Sequence, residues 1–144
     1  LDTAPVATTT ATMSSANGDY PITVSGGADN NYTFSYTDGT LTVGKSTQTI
    51  AFDALTGKTY GDATFNLTAT SSSGLAVTYS SSDESVATVS GSTVTIVGAG
   101  TATITASQAG DNNYNAAVPV EQTLTVDKAL LTVMLMIRAR STVT

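Results

Sequence analysis

The chain has 144 residues, of which 40 % are hydrophobic and 11 % charged, and its formal net charge is −6. This is enough apolar material for a core, whereas the acidic balance argues against nucleic acid or an anionic membrane surface as a partner. Because the chain has no Cys and no His, Ser-His-Asp and Cys-His catalysis and thiolate metal sites are excluded, and we expect no enzyme. No apolar stretch approaches the roughly 20 residues that cross a bilayer, so we expect no membrane insertion.

The first 45 residues alternate between apolar and polar side chains over short stretches, which predicts strands with one buried face. We expect four strands here, at residues 8–13, 20–25, 32–36 and 40–43. Four strands make about half of a β-sandwich. We therefore expect an apolar sheet face that needs a partner sheet.

The next part of the chain, residues 46–128, alternates in the same way and has turn residues between its strands. The expected strands contain residues 50–52, 65–67, 77–79, 86–89, 94–96, 101–106 and 123–126. About seven short strands separated by Gly, Asn, Asp and Ser are typical of a sandwich. The predicted fold class is all-β: a complete antiparallel β-sandwich, preceded by a partial module.

A short motif occurs twice at domain spacing. Asp29-Asn30-Asn31-Tyr32 and Asp111-Asn112-Asn113-Tyr114 each lead to Thr-Leu-Thr-Val, which ends at Val43 and Val126, and a lysine follows two residues later at Lys45 and Lys128. A repeat of this length indicates a tandem array of domains. We predict a partial repeat at 1–45, a complete domain at 46–128 and the start of a further repeat at 129–144.

Two families resemble parts of this chain. Residues 77–89, Val-Thr-Tyr-Ser-Ser-Ser-Asp-Glu-Ser-Val-Ala-Thr-Val, followed by Gly-Ala-Gly-Thr-Ala-Thr-Ile-Thr-Ala at 98–106, are similar to the bacterial Ig-like (group 2) domain, with Tyr79 where that family often has Trp. Residues 18–43 resemble the C-terminal half of the MBG type of bacterial Ig-like repeat, and Lys-Thr-Tyr-Gly-Asp at 58–62 is similar to the opening motif of such repeats. The resemblance implies Ig-like sandwiches in a repetitive protein of the bacterial cell surface or extracellular space.

The C-terminal residues depart from this pattern, since residues 134–140 contain two of the three Met and both Arg of the chain. One DNA sequence that would encode this stretch gives Ala-Asp-Asp-Lys-Ser-Thr when it is translated in a shifted reading frame. These six residues resemble the start of another repeat. A frameshift is one hypothesis. An ordinary amphipathic tail strand is the other.

The paired Asp-Asn-Asn clusters are candidates for a Ca²⁺ site, because carboxylate and amide oxygens are suitable ligands for this ion. The candidate ligands are Asp29, Asn31, Asp111 and Asn113. Each cluster has a single carboxylate, and Asp and Asn also favour turns, so we prefer the interpretation as turns and expect no cofactor. Lys58 and the scattered carboxylates are expected to be solvated surface groups.

The leading functional hypothesis is a non-catalytic spacer or stalk segment of an adhesin-like surface repeat protein. Its expected partners are the neighbouring Ig-like repeats of the same chain. The alternative is a binding module that recognises a host or matrix glycan or protein through its end loops or a strand edge.

Overall fold

The computed structural model describes residues 2–135 and contains twelve strands in that range, with no helix. No helix that could cross a membrane is therefore present among these residues. The all-β prediction is confirmed, and several antiparallel sheets agree with a sandwich-like fold. The strands are β1 (Thr3–Thr9), β2 (Gly18–Ala28), β3 (Gly39–Val43), β4 (Ile50–Ala51), β5 (Lys58–Thr59), β6 (Phe65–Asn66), β7 (Thr70–Ser71), β8 (Thr78–Ser81), β9 (Ala87–Ser90), β10 (Thr93–Ile96), β11 (Gly100–Ser107) and β12 (Val120–Asp127).

The chain forms two compact units, and the first takes the described residues of Leu1–Ala51, Ala69–Val77 and Ala106–Val120. Its main sheet has the order β1-β2-β3, with both pairs antiparallel. Strands β4 and β7 form a separate antiparallel pair in the same unit. The predicted divisions at 45/46 and 128/129 remain predictions.

One face of the β1-β2-β3 sheet carries apolar side chains that are not fully buried. Along β2, Tyr20, Ile22 and Val24 are half-buried, whereas the alternate residues between them are exposed. Cross-strand neighbours extend this face, because Leu41 pairs with Tyr20 and Ala7 with Val24. No residue from 2 to 47 is buried, so the face remains accessible to a further apolar element.

Two of the predicted N-terminal strands differ from the observed ones. The strand predicted at 8–13 lies earlier, as β1, because its register against β2 ends at the Thr9–Ile22 pair. Residues 12–15 instead form a turn in which the Ser15 N–H donates to the Thr12 carbonyl at 3.1 Å. Residues 32–36 form no strand, and the rings of Phe34 and Tyr36 stack in parallel with centroids 6.1 Å apart.

The second unit takes the described residues of Phe52–Thr68, Thr78–Thr105 and Glu121–Thr144 and contains two sheets. Their strand orders are β6-β10-β9 and β5-β12-β11-β8. The last strand, β12, pairs in parallel with β5, with Val126 opposite Lys58.

Both sheets of this unit direct alternate apolar residues into its core, as the period-two pattern predicts. The fully buried side chains with the largest volumes are Ile104, Leu124 and Val94. Phe52 is buried as well, and its ring lies 5.8 Å from that of Tyr79 at a tilt of 60°. Tyr79 thus packs its ring against a core residue of this unit.

The corner between β10 and β11 depends on glycine for close packing. A Cβ at Gly98 would lie 2.6 Å from the Ser85 carbonyl oxygen, and one at Gly100 would lie 2.8 Å from a methyl group of Val86. Val86 is buried, and its carbonyl accepts hydrogen bonds from the backbone N–H groups of Val97 and Gly98 at 2.9 and 3.2 Å. Only a residue without a side chain permits this approach.

Candidate functional site

The second Asp-Asn-Asn-Tyr motif forms a closed turn in the loop that precedes β12. We call residues 109–116 the junction loop. The Asp111 carboxylate accepts the backbone N–H groups of Asn113 and Tyr114, each at 2.8 Å. The Asp111 N–H donates to the Tyr114 carbonyl at 3.0 Å, and Gly110 has a φ of 78° at the start of the turn. A side-chain oxygen that accepts backbone N–H groups of residues two and three further on holds such a turn in one conformation.

The junction loop binds the segment that follows β3, residues 44–48, which we call the linker. Ser46 pairs with Tyr114 in an isolated parallel bridge. The Ser46 N–H donates to the Asn113 carbonyl at 2.8 Å, and the Asn115 N–H donates to the Ser46 carbonyl at 2.9 Å. The Lys45 ammonium donates to the Asp111 carbonyl at 2.6 Å. The linker is therefore fixed along the loop by two main-chain hydrogen bonds and one charge-assisted bond.

The turn after β1 contacts the same loop. The Asn17 N–H donates to the side-chain oxygen of Asn113 at 3.2 Å, and the Asn17 amide group donates to the Val43 carbonyl at 2.8 Å. Between these elements lies an open cleft of about 270 Å³, whose lining includes Met13 and Tyr114. Its volume is slightly below the 300–1,000 Å³ that is usual for small-molecule sites.

Beneath the linker, two buried glutamines form a hydrogen-bonded network. Gln48 and Gln108 are 7 % and 9 % exposed. The Gln48 amide group donates to the Gln108 side-chain oxygen at 2.5 Å and to the Asn115 carbonyl at 2.7 Å. The Gln48 side-chain oxygen accepts the Ser73 hydroxyl at 2.5 Å. Every buried side-chain N or O atom in the described part of the chain has a partner, as a buried polar network requires.

The calcium hypothesis remains a prediction. The Asp29 carboxylate accepts the Asn31 N–H at 2.8 Å, in the same arrangement as Asp111 with Asn113. The side-chain oxygen of Asn113 accepts the Asn17 N–H. Within residues 2–135 no group of three or more carboxylates, His or Cys is placed to hold a metal ion. The observed hydrogen bonds are those of turns.

Lys58 differs from the expected solvated surface group. Its side chain is half-buried, and its ammonium lies 4.7 Å from the centre of the Phe65 ring. Such a cation–π contact stabilises this part of the chain and does not indicate a catalytic role. A pattern search for catalytic or metal-binding residues also misses Asn17, Gln48 and Gln108, because their roles are hydrogen bonds between distant segments.

Comparison with known families gives a match for the N-terminal part of the chain. Residues 1–42 match the family model of the MBG domain (YGX type). The match covers β1, β2 and all of β3 except Val43, and it agrees with the resemblance noted for residues 18–43. No curated protein matches the chain. The MBG match indicates a surface-repeat type of protein for this part.

Proposed function

We propose that this chain is a non-catalytic spacer segment of an extracellular or bacterial cell-surface repeat protein, with Ig-like modules joined by linkers that are bound rather than free. The observation that carries the proposal is the attachment of residues 45 and 46 to the junction loop. A linker that is hydrogen-bonded along its length restricts bending, whereas a free linker of the same length behaves as a flexible coil. A spacer needs such restriction to project what it carries.

The strand order of the second unit supports an Ig-like domain at residues 46–128. Strands β6, β10 and β9 correspond, in chain order, to strands B, E and D of an immunoglobulin sandwich, and β8, β11 and β12 correspond to C, F and G. The match of residues 1–42 to the MBG domain supports a neighbouring repeat. In this proposal the partners of each module are the repeats before and after it.

The spacer proposal is tested by measuring how firmly the linker is held. Residual dipolar couplings from the β1-β2-β3 sheet and from the junction loop are expected to fit one alignment tensor in the native chain. The double variant Asn113→Ala, Lys45→Met removes the Asn113 oxygen that accepts the Asn17 N–H and the Lys45 ammonium that donates to the Asp111 carbonyl, and in it the two sets are expected to diverge. Thr40→Ala, on the exposed side of β3, is the control and keeps a single tensor.

Two results would contradict the proposal. If the native couplings already require two independent tensors, the linker does not restrict bending. If an array of surface and matrix glycans shows specific binding that Tyr114→Ala abolishes, the open cleft at the junction is a ligand site and the binding-module alternative applies.

A further inference from the structure

The segment that follows β12 repeats the sequence pattern of the linker but is exposed in the structure. Lys128 and Ala129 follow Thr-Leu-Thr-Val as Lys45 and Ser46 do. In the first copy, alternate residues after the linker lysine are buried, with Gln48, Ile50 and Phe52 between 7 % and 9 % exposed. The corresponding residues in the second copy are Leu131, Val133 and Leu135, at 84, 81 and 84 % exposed. We call residues 128–135 the donor segment. Its alternate residues are apolar, as in a buried strand, but their side chains are exposed.

The first Asp-Asn-Asn-Tyr loop lacks the bound linker that the junction loop has. We call residues 29–33 the acceptor loop. It shares one hydrogen bond with the turn of the junction loop, from the Asn31 N–H to the Asp29 carboxylate at 2.8 Å. Tyr32, the counterpart of the half-buried Tyr114, is 74 % exposed. In the described part of the chain, the Asn31 carbonyl and the Thr33 N–H have no hydrogen-bond partner, although their counterparts in the junction loop bind Ser46.

The acceptor loop directly follows β2, whose sheet has a half-exposed apolar face. Ile22 and Val24 are half-buried on this face, and Leu41 is 39 % exposed. One chain therefore carries an apolar strand without a sheet and an apolar sheet face without a covering strand. Both remain exposed in the single chain, so each is available to a second copy.

We propose that the donor segment of one copy docks on the acceptor loop and apolar sheet face of a second copy, so that the chain associates head to tail. The contact repeats the geometry of the linker on the junction loop. The Ala129 N–H donates to the Asn31 carbonyl, and the Thr33 N–H donates to the Ala129 carbonyl. Lys128 contributes its ammonium to a loop that carries Asp29 and the nearby Asp2, whose carboxylate accepts the Asn30 N–H at 3.2 Å.

From this contact, Leu131, Val133 and Leu135 extend over the apolar face. The main-chain hydrogen bonds of Ala129 to the acceptor loop supply part of the affinity. The alternate apolar side chains that contact the sheet face supply the specificity, as they do when a peptide strand binds a protein. Because the donor and acceptor surfaces are different, the interface is heterologous and adds copies in one direction.

The test uses sedimentation velocity on the full chain and two donor variants. The native chain is expected to associate with increasing concentration over about 5–500 µM, a range suited to a weak contact. Val133→Asp is expected to weaken association at least about tenfold, because it brings a charge into an apolar contact. Thr132→Asp adds the same charge at the alternate, polar position and is expected to leave association unchanged. Neither side chain is buried in the single chain, so neither substitution affects its folding.

The acceptor side is tested with Leu41→Asp and its control Thr40→Asp on the opposite side of β3. Leu41→Asp is expected to remove association, and Thr40→Asp to keep it. Thr33→Pro removes the N–H that donates to the Ala129 carbonyl and provides a second acceptor variant outside the strands if Leu41→Asp does not fold.

Mixing gives the sharpest result. Val133→Asp retains an acceptor and Leu41→Asp retains a donor, so the mixture is expected to form one-to-one dimers that do not grow further. The proposal is overturned if the native chain stays monomeric throughout the range, if the two charges at 132 and 133 act alike, or if the mixture of folded variants stays monomeric. A monomer in which the Val133 amide is protected from hydrogen exchange also overturns it, because the segment then docks on its own chain.

Discussion

Ser46 and Tyr114 form a parallel bridge that joins the linker to the junction loop, with hydrogen bonds of 2.8 and 2.9 Å on its two sides. The bridge uses main-chain atoms, and the Asp111 carboxylate holds the loop in the conformation that presents them. The repeated Asp-Asn-Asn-Tyr motif is therefore a device for positioning backbone groups.

Replacing Asp111 should loosen the linker as well as the loop. Asp111→Ala removes the acceptor of two backbone N–H groups, and we expect a loss of about 1–2 kcal/mol in the free energy of unfolding. The amide of Ser46 should exchange with solvent at least about tenfold faster by NMR. Asp29→Ala, in the equivalent turn, is the control and should leave Ser46 exchange unchanged. Equal effects of both variants on Ser46 would contradict the role of the junction loop.

The buried glutamine pair should be sensitive to truncation. Gln48→Ala removes three hydrogen bonds, to the Gln108 side-chain oxygen, the Asn115 carbonyl and the Ser73 hydroxyl. Because an intramolecular hydrogen bond contributes about 0.5–1.5 kcal/mol net, we expect the loss of three to cost roughly 2 kcal/mol or more in urea unfolding. Gln122→Ala, which removes a single bond of 2.7 Å to the Phe52 carbonyl, is the matched comparison and should cost about 1 kcal/mol. A smaller loss for Gln48→Ala than for Gln122→Ala would show that the network contributes little.

The corner between β10 and β11 should be destabilised when alanine replaces Gly98. Gly98→Ala places a Cβ 2.6 Å from the Ser85 carbonyl oxygen, which belongs to the backbone and moves only with its strand connection. We expect a destabilisation of about 1–3 kcal/mol by thermal or urea unfolding. Gly44→Ala is the control, because nothing lies within 4 Å of its Cβ position. If the two variants unfold alike, the close approach at Gly98 is not a constraint.

Because of Asp83, the stability of the fold should decrease slightly at acid pH. Hydrogen bonds from the Ser85 hydroxyl and then the Ser85 N–H lower the pKa of Asp83 below its ordinary value of 3.8. A lowered pKa in the folded state means that the charged form stabilises the fold above the unfolded pKa, and that this contribution disappears as the pH falls through the folded pKa.

The measurement for Asp83 is the urea midpoint between neutral pH and about pH 2. Asp83→Asn is expected to lower the midpoint at neutral pH and to reduce its decline below pH 4. Glu84→Gln removes the same charge from the neighbouring residue and should not change the shape of the decline. If the urea midpoint of Asp83→Asn declines with falling pH as that of the native chain does, the role assigned to Asp83 is wrong.

Calcium is expected to have little effect on this chain. The Asp111 carboxylate already accepts two backbone N–H groups, and a Ca²⁺ ion would have to compete with both. We expect the melting temperature in about 5 mM CaCl₂ to lie within about 1 °C of its value in EDTA. A rise of several degrees that Asp111→Asn or Asp29→Asn removes would instead support calcium binding at these loops.

Much of the domain core could be predicted from local pattern. The alternation at 101–106 and 123–126 placed Ile104 and Leu124 inward, and both are fully buried. These features depend on side chains a few residues apart, and a two-residue period determines which of them share a face of a strand.

The linker contact could not be predicted in this way. Its bonds join main-chain atoms of Ser46, Asn113 and Asn115, and backbone groups carry no signal in the sequence. The displaced strand β1 and the buried Gln48–Gln108 pair have the same origin, since their positions depend on which distant segment supplies a partner.

The sequence by itself determined that this is an all-β chain with a repeated Asp-Asn-Asn-Tyr motif and without the residues for His- or Cys-based catalysis, because composition and period-two alternation are properties of the chain alone. Only the tertiary structure decided what the repeated Asp-Asn-Asn-Tyr motif does. The second copy holds a linker, whereas the first shares one hydrogen bond of that turn and leaves Tyr32 exposed. The difference arises because a backbone hydrogen bond requires two segments to meet in space, and that meeting is not encoded in either segment separately.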